Sequence, residues 1–562
     1  MDALDLSLTP VQAIDRIRPL VEASKSPEWR TENSRNGRAL GVVAGLCVRS
    51  ISDALGDKEV ESNWSAALEC IRLLRNACAG QEAVQNMMWR AGFVETLPAS
   101  SSLASFLIDK SADINAGGGK DVRNAVLVLM VNTVASNPGT RQEFAKAGGP
   151  AAVVRIGGLA DSPERSFMLL QSWCGSKGAA SEHLLQVVSA PDGVSMVLVL
   201  LALAFEELES NPTGFEWVSI FFQSLITKNL AAVILAGLQS LTEQQFIHCL
   251  DTMVCRGETA SEDFATAAVR ADAVLFRGRG VLRRWETYAS CRRNGLAYVL
   301  EAVGELSDCC HESQDPALTT AVAGLYVSAV LCCSAQLGLQ CHPRDAPEVE
   351  GAAAWCKSVT DVGAEMGGLE PGAALREQEC VAGAAVRACA SLAASLQEAD
   401  QEERWRWAVF CVTWVVPTLE ALHVLRFPGV YSAASPVLTT EGPQDPRYED
   451  AASFLQPVAL LRLVANATFD CQLSQELLRT TPNALSILLS HCFADIQAPL
   501  QREAAIFVVR ALTDGCPENQ QAIKDLLQST DFQKVAEQTK SFAEDLSAEA
   551  GITATVVERG GA

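Results

Sequence analysis

The chain has 562 residues, of which 49% are hydrophobic, 44 are Lys or Arg and 67 are Asp or Glu, for a net charge of −23. That length exceeds a single compact core, so the chain must divide into domains or extend as a repeat array. The acidic balance excludes a general affinity for nucleic acid, where Lys and Arg neutralise phosphate, and disfavours anionic membrane surfaces on the same ground.

The N-terminus reads Met-Asp-Ala-Leu-Asp, without a basic start or an apolar core. No secretory signal is therefore expected, and the location is expected to be cytoplasmic. The 19 cysteines then read as reduced thiols, and Cys47, Cys70, Cys78, Cys389 and Cys411 serve as small hydrophobes on apolar helical faces. Ala and Leu dominate and β-branched runs are short, which favours helix.

The first clear helix lies around residue 70. Trp64, Leu68, Ile71, Leu74 and Cys78 recur at intervals of three or four and so share one face. Ala91-Gly92 breaks the chain, and Phe93, Val94 and Leu97 predict the start of another helix. The stretch Lys110–Lys120 reads as an inserted loop. Its Gly117-Gly118-Gly119-Lys120 is no phosphate loop, because Asp121 follows the Lys and no strand precedes it. A second helix is predicted through Met130 and Val134, with Asn137-Pro138-Gly139 as a turn and Ala147–Pro150 as a stop.

These two regions share a spacing that returns near the C-terminus. Leu73-Leu74-Arg75-Asn76-Ala77-Cys78 is followed by Gln85, and Met130-Val131-Asn132-Thr133-Val134 by Gln142. Val464-Ala465-Asn466-Ala467-Thr468 is followed by Gln475, and Val509-Arg510-Ala511-Leu512-Thr513 by Gln520. The anchors after Asn76 lie 56, 390 and 435 residues further on, and the last two are 45 apart. A recurrence of this size predicts an all-α fold, an armadillo- or HEAT-like helical-repeat superhelix, and such arrays usually bind partners.

Five segments follow: armadillo-like repeats over 1–205, a helical middle without the echo over 206–425, a Pro-rich loop over 426–453, further repeats over 454–540 and a flexible tail over 541–562. In the middle, breaks are predicted near Asn211-Pro212, Arg277–Gly280, Pro343–Gly351 and Gly367–Gly372. Pro316–Gln340 is free of charge, yet its Thr, Ser, Gly and Gln content fits a buried helix better than a membrane span. Trp407 and Trp414 fall on one helical face, as core or as a partner hot spot.

The echoed residues resemble the armadillo pattern of a hydrophobic-x-Asn core followed by Gln and Gly. More narrowly, Leu68–Cys78 with Gln85-Asn86 is similar to the N-terminal segment of the ataxin-10 family. Leu460–Asn466 with Gln475, Arg502–Leu512 and Asn519-Gln520 looks like that family's C-terminal domain. The resemblance covers residues 60–150 and 455–530, about a third of the chain. It implies a cytosolic, non-enzymatic scaffold associated with cytokinesis and, in animal members, with neurite growth and neuronal survival. Departures are Ala511 in place of Asn and Pro482 in place of Gly. Arg72, Val128, Arg462 and Phe507 stand where peptide-gripping armadillo proteins such as importin-α carry Trp, which speaks against the alternative, an adaptor for one extended peptide.

No nucleophile–base pair or kinase signature is visible. Cys309-Cys310-His311, Cys332-Cys333 and Cys341-His342 lack paired metal-ligand spacing, so no metal, cofactor or enzymatic role is expected. Protein partners are expected, with Arg72, Asn76, Asn132, Arg462 and Asn466 lining the groove. The Asn residues fit a second role as well, each tying its own turn to the next unit.

Overall fold

The computed structural model describes residues 4–34, 36–110, 113–114, 119–134, 137–147, 163–174, 188–210, 216, 220–221, 223–225, 230–255, 263–275, 278–283, 287–306, 316–339, 341, 343–344, 351–365, 375–396, 401–426, 445–492 and 499–528. Among the described residues every regular element is a helix. The chain forms two compact units, Met1–Gly295 and Leu296–Ala562.

In the N-terminal unit, α1 (Pro10–Ala23) starts at a reciprocal cap: Thr9 accepts from the Gln12 N–H, and the Gln12 side chain accepts from the Thr9 N–H. Ser26 and Asn36 cap α2 (Pro27–Asn33) and α3 (Gly37–Leu55) in the simpler one-bond manner. α4 (Val60–Cys78) carries the apolar stripe: Trp64, Ile71, Leu74 and Cys78 are buried and Leu68 is half-buried. Its other flank, with Ala66, Ala67, Cys70, Leu73 and Ala77, is buried too. The reason is position, since α4 packs on α1 and α3 and also on α7 (Gly119–Val134) of the next repeat.

Between them lie α5 (Glu82–Trp89) and α6 (Leu103–Asp109). A helix starting at Phe93 is not formed. Residues 91–100 are turns, although Val94 is buried. Pro98 and the run Ser100–Ser102 favour a turn there, and Ser102 caps α6 by accepting from the Ser105 N–H. The loop expected over Lys110–Lys120 also ends earlier, because Gly119 and Lys120 open α7; Gly117 and Gly118 lie outside the described residues. α8 (Pro138–Lys146) and α9 (Pro163–Cys174) follow, and α9 packs on α7.

The unit is completed by α10 (Pro191–Ser210), α11 (Ala231–Ser240), α12 (Glu243–Cys255) and α13 (Phe264–Leu275). α14 (Tyr288–Leu306) contains the point of division. The break predicted near Arg277–Gly280 is built around buried Asp272. Its carboxylate accepts from the Gly280 and Leu282 N–H groups, and its carbonyl accepts from Gly278. Gly278 and Gly280 sit at φ +69 and +78, where a side chain would be strained.

The C-terminal unit holds α15 (Pro316–Leu337), α16 (Ala352–Glu365), α17 (Leu375–Ala394), α18 (Gln401–Phe410) and α19 (Val416–Arg426). A π turn, Cys411–Val415, joins α18 to α19. Pro417 explains the irregularity, because it lacks the N–H that would bond the Thr413 carbonyl. That carbonyl accepts from the Arg344 N–H at 3.1 Å, and the Arg344 side chain reaches Glu420 and the Pro482 carbonyl.

α15 is long and apolar enough to cross a membrane, yet 72% of its most apolar window is buried. Trp407 and Trp414 are core residues: Trp407 packs on Trp355 and Phe410, Tyr326 packs on Phe410, and Trp414 Nε1 donates to Thr360 Oγ1. Burial pushes the Cys356 thiol up to about 12 and Cys47 in the other unit likewise, which leaves both unreactive.

The last elements are α20 (Arg447–Leu455), α21 (Pro457–Thr468), α22 (Gln472–Thr480), α23 (Ala484–Ser490), α24 (Pro499–Thr513) and α25 (Pro517–Gln528). The Pro-rich loop assigned to 426–453 therefore needs correction at its end, since Arg447–Leu455 is helix; residues 427–444 lie outside the described residues, as does the tail 541–562. Tyr448, Ala451, Phe454 and Leu455 are spaced at three or four, which buries one face of α20.

α15, α17, α21 and α24 pack in series. Beside them α19, α23 and the turn after α23 enclose a polar cluster. Ser490 Oγ lies 3.3 Å from His423 Nδ1, and Gln501 Nε2 lies 2.6 Å from His491 Nδ1. The two imidazoles meet edge to face at 5.7 Å.

Candidate partner-binding face

The repeat anchors are fixed by amide side chains working in two directions. Backward, Asn132 Nδ2 donates to the Arg75 carbonyl at 2.9 Å, one residue before the preceding anchor. Asn76 Nδ2 donates to Ser24 Oγ at 3.0 Å and to the Val21 carbonyl at 3.4 Å. Forward, Gln85 Nε2 donates to the Asn132 carbonyl at 2.8 Å, and Gln475 Nε2 to the Ala511 carbonyl at 2.8 Å. Each Gln thus bonds the backbone of the next anchor. A third set closes each turn locally: Gln85 to the Cys78 carbonyl, Asn519 to Leu512 and Gln520 to Thr513.

The second unit departs from the spacing read in the sequence. Gln142 is exposed, and Arg141 takes the bracing place, donating from Nε to the Val134 carbonyl at 3.1 Å.

The same bonds reveal an anchor that the sequence hides. Asn466 Nδ2 donates to the Ala390 carbonyl at 2.9 Å. By the geometry of Asn132 on Arg75, the preceding anchor is Ser391 in α17. Ser has no amide and no Gln echo follows it, so nothing in the residue types signals the repeat.

Four residues before each anchor, one turn back on the same helical face, stand Arg72 and Val128 in the N-terminal unit, and Arg387, Arg462 and Phe507 in the C-terminal unit. Arg72 is 39% exposed and pairs with Glu69 at 3.2 Å. Arg387 bonds Glu301 and Gln456. Arg462 is exposed with no ion pair among the described residues, and Phe507 is 44% exposed.

Of the five residues proposed from sequence to line a groove, Arg72 and Arg462 therefore face outward. Asn76 does not: it is buried, and both ends of its amide are engaged, with Oδ1 accepting from Arg75 Nε and Nη2. Asn132 and Asn466 are half-buried with their Nδ2 groups on neighbouring helices. The physical reason is the cost of an unsatisfied buried carbonyl, about 1–3 kcal/mol. The Asn side chains brace neighbouring helices, but toward the preceding unit and not toward the next one expected from the sequence.

The sequence reading also passed over Arg75 and Arg165. Arg75 is half removed from water, and burial, then the charges of Arg72 and Arg165, lowers its pKa. Its signal lay in plain view, beside Asn76 in the first echo. Arg165 follows no echo, since α9 carries no recognised anchor.

Helices packed in series within each unit and locked anchor to anchor by amides define an armadillo-like repeat protein. Residues 458–553 match the family model for the spinocerebellar ataxia type 10 protein domain, which takes in Arg462, Asn466, Gln475, Ala511 and Asn519. No curated protein matches the chain.

Among solved structures the chain is similar to an engineered protein, at 14% identity and TM-score 0.32, over 96% of both chains. It is also similar to a chain of the SYS-1/POP-1 complex, at 10% identity and TM-score 0.26, over 95% of this chain and 99% of that one. A third similarity is to a chain from a structure of the phosphorylation switch controlling the interaction between cadherin and β-catenin. It has 11% identity and TM-score 0.23, over 90% of this chain and 96% of that one. The repeat assignment rests on the helix packing and the amide bonds rather than on these superpositions.

Proposed function

We propose that the chain is a non-enzymatic protein-interaction scaffold of the ataxin-10 kind. The observation that carries this reading is the division of labour within each repeat. The anchor amides are spent inward on bracing, while Arg72, Arg462 and Phe507, one turn back, present their side chains outward from a fixed backbone. A rigid row of this type suits partner docking, because little ordering is required on binding. The family match over 458–553 supports the same reading.

The finer part of the proposal, a cytoplasmic protein acting in cell division, is carried by the resemblance to ataxin-10. Depleting the chain from dividing cells should delay or derail cytokinesis; unaltered division would remove that part and leave the scaffold reading.

The scaffold reading is tested by affinity capture from native lysate with wild type and the double variant Arg72→Glu, Arg462→Glu. Arg72 is half-buried and Arg462 exposed, and neither braces a neighbouring anchor, so the fold should hold by circular dichroism. We expect partners captured by the wild type to be lost or reduced in the variant. Equal recovery of the same partners would overturn the assignment of these two positions, one in each unit, to partner binding.

A further inference from the structure

We propose that the face of the N-terminal unit carrying Arg72, Arg75 and Arg165 docks an acidic, extended segment of a protein partner. The inference rests on the scaffold reading and narrows it to one site and one partner chemistry.

Among the described residues, Arg18, Arg72 and Arg75 on α1 and α4 are answered by one ion-paired carboxylate, Glu69, and the charge of Arg165 on α9 reaches Arg75. Glu69 Oε1 is already divided, 3.2 Å from Arg72 Nη1 and 3.8 Å from Arg18 Nε. Arg75 is held by a neutral acceptor, with Nε and Nη2 on Asn76 Oδ1 at 3.1 and 2.9 Å. Arg165, half-buried in α9, has no carboxylate within ion-pair distance among the described residues. The charges of Arg72 and Arg165 both act on the half-buried Arg75. Like charges gathered this way repel one another, and an anion set among them relieves the repulsion.

The cluster is no by-product of composition, because the chain as a whole carries −23. A local cationic patch on an acidic protein attracts acidic partners and repels other acidic surfaces. Guanidinium forks match carboxylates two bonds at a time. The site is also fixed in advance, since Asn132 of the next repeat holds the Arg75 carbonyl.

The line runs across the packed helices, from Arg72 and Arg75 on α4, past half-buried Val128 on α7, to Arg165 on α9. The missing Trp residues speak against a basic extended peptide; with Arg72 and Val128 in their places, an extended strand with acidic residues flanking an apolar one fits that order of charge, apolar surface and charge.

The probe is a fluorescent peptide alternating Glu with Val, titrated with the full chain and read by anisotropy. A Lys-for-Glu peptide and single-stranded DNA serve as controls. We expect the acidic peptide alone to bind, more weakly as salt rises. The double variant Arg72→Glu, Arg165→Glu should weaken it at least about tenfold, equivalent to 1.4 kcal/mol. Arg72→Gln with Arg165→Gln should give a smaller loss, and it carries the test if the Glu variant fails to fold.

Failure of the wild type to bind the peptide, or equal binding by the folded variants, would overturn the proposal. So would single-stranded DNA binding as tightly as the peptide, or a dimer of the chain that the same substitutions dissolve. A wild type that captures lysate partners and ignores the acidic peptide would overturn this inference alone, leaving the scaffold reading in place.

Discussion

The two units solve the same packing problem with different completeness. In the N-terminal unit, Asn76 and Asn132 both reach back and Gln85 reaches forward, so α7 is bonded to α4 through Asn132 and to α5 through Gln85. In the C-terminal unit, Asn466 reaches back to α17, but the next anchor is Ala511, and the forward bond to α24 comes from Gln475 on α22. The C-terminal unit also encloses two imidazoles and an interrupted helix at Pro417. The difference teaches that one repeat signature tolerates uneven bracing, provided the apolar faces still meet.

Acid should separate the units most strongly. Burial, then the charge of Arg426, holds His423 down to about 4 from its ordinary 6.5, and burial holds His491 well below its ordinary value. Both imidazoles stay neutral in the fold, while an unfolded chain would take up protons below pH 6.5. Stability of the C-terminal unit is therefore intact above pH 6.5 and falls as pH drops toward 4, by about 3 kcal/mol for His423 alone. In the N-terminal unit, His248 lies at the surface and not in the core. Hydrogen exchange read by mass spectrometry at pH 7 and pH 5 should show protection lost over 416–492 before 60–134. Simultaneous loss in both would break the comparison.

Among substitutions, Asn76→Ala should cost the most, about 2–3 kcal/mol. It strands Arg75 and removes the donor to Ser24 and Val21 at a buried site. Asn466→Ala, at a half-buried site with one such bond, should cost about 1 kcal/mol. Chemical denaturation of the two variants gives both values, and an equal cost would remove the claimed asymmetry.

Gln475→Ala should fall between them, at about 1–2 kcal/mol, because the buried carbonyl of Ala511 and the part-buried one of Asp514 lose a donor. A cost below that of Asn466→Ala would show that the forward bond is not what secures α24. The smallest change is expected from Ala511→Asn, within about 1 kcal/mol of wild type in either direction. A clear gain in melting temperature would mean that the missing amide finds a carbonyl on α21. A large loss would mean that this buried position has no room for it.

Legibility followed chemistry along the chain. Asn76, Asn132 and Asn466 could be found because an amide, a flanking apolar pair and a later Gln are distinct residue types at a fixed spacing. Ser391 could not, because the same backbone position is served there by a hydroxyl residue among alanines. The helix expected at Phe93 failed because an apolar triplet without a cap looks the same whether it opens a helix or plugs a turn, as Val94 does. Arg447–Leu455 was masked by its proline-rich approach, although Tyr448, Phe454 and Leu455 carried the helical period.

By itself the sequence determined the class of fold and the register of four repeats, since periodic apolar faces leave the chain few other ways to exclude water. It also pointed to holding protein partners as work suited to this fold. Only the tertiary structure decided which polar residues remain available for that work. A buried carbonyl must find a donor, and the nearest amide is taken for it, so the Asn residues turn inward and the arginines one turn away face solvent. Which amide meets which carbonyl, and which cations are left without a carboxylate, depends on helices that lie tens of residues apart in the chain. No local pattern encodes that meeting.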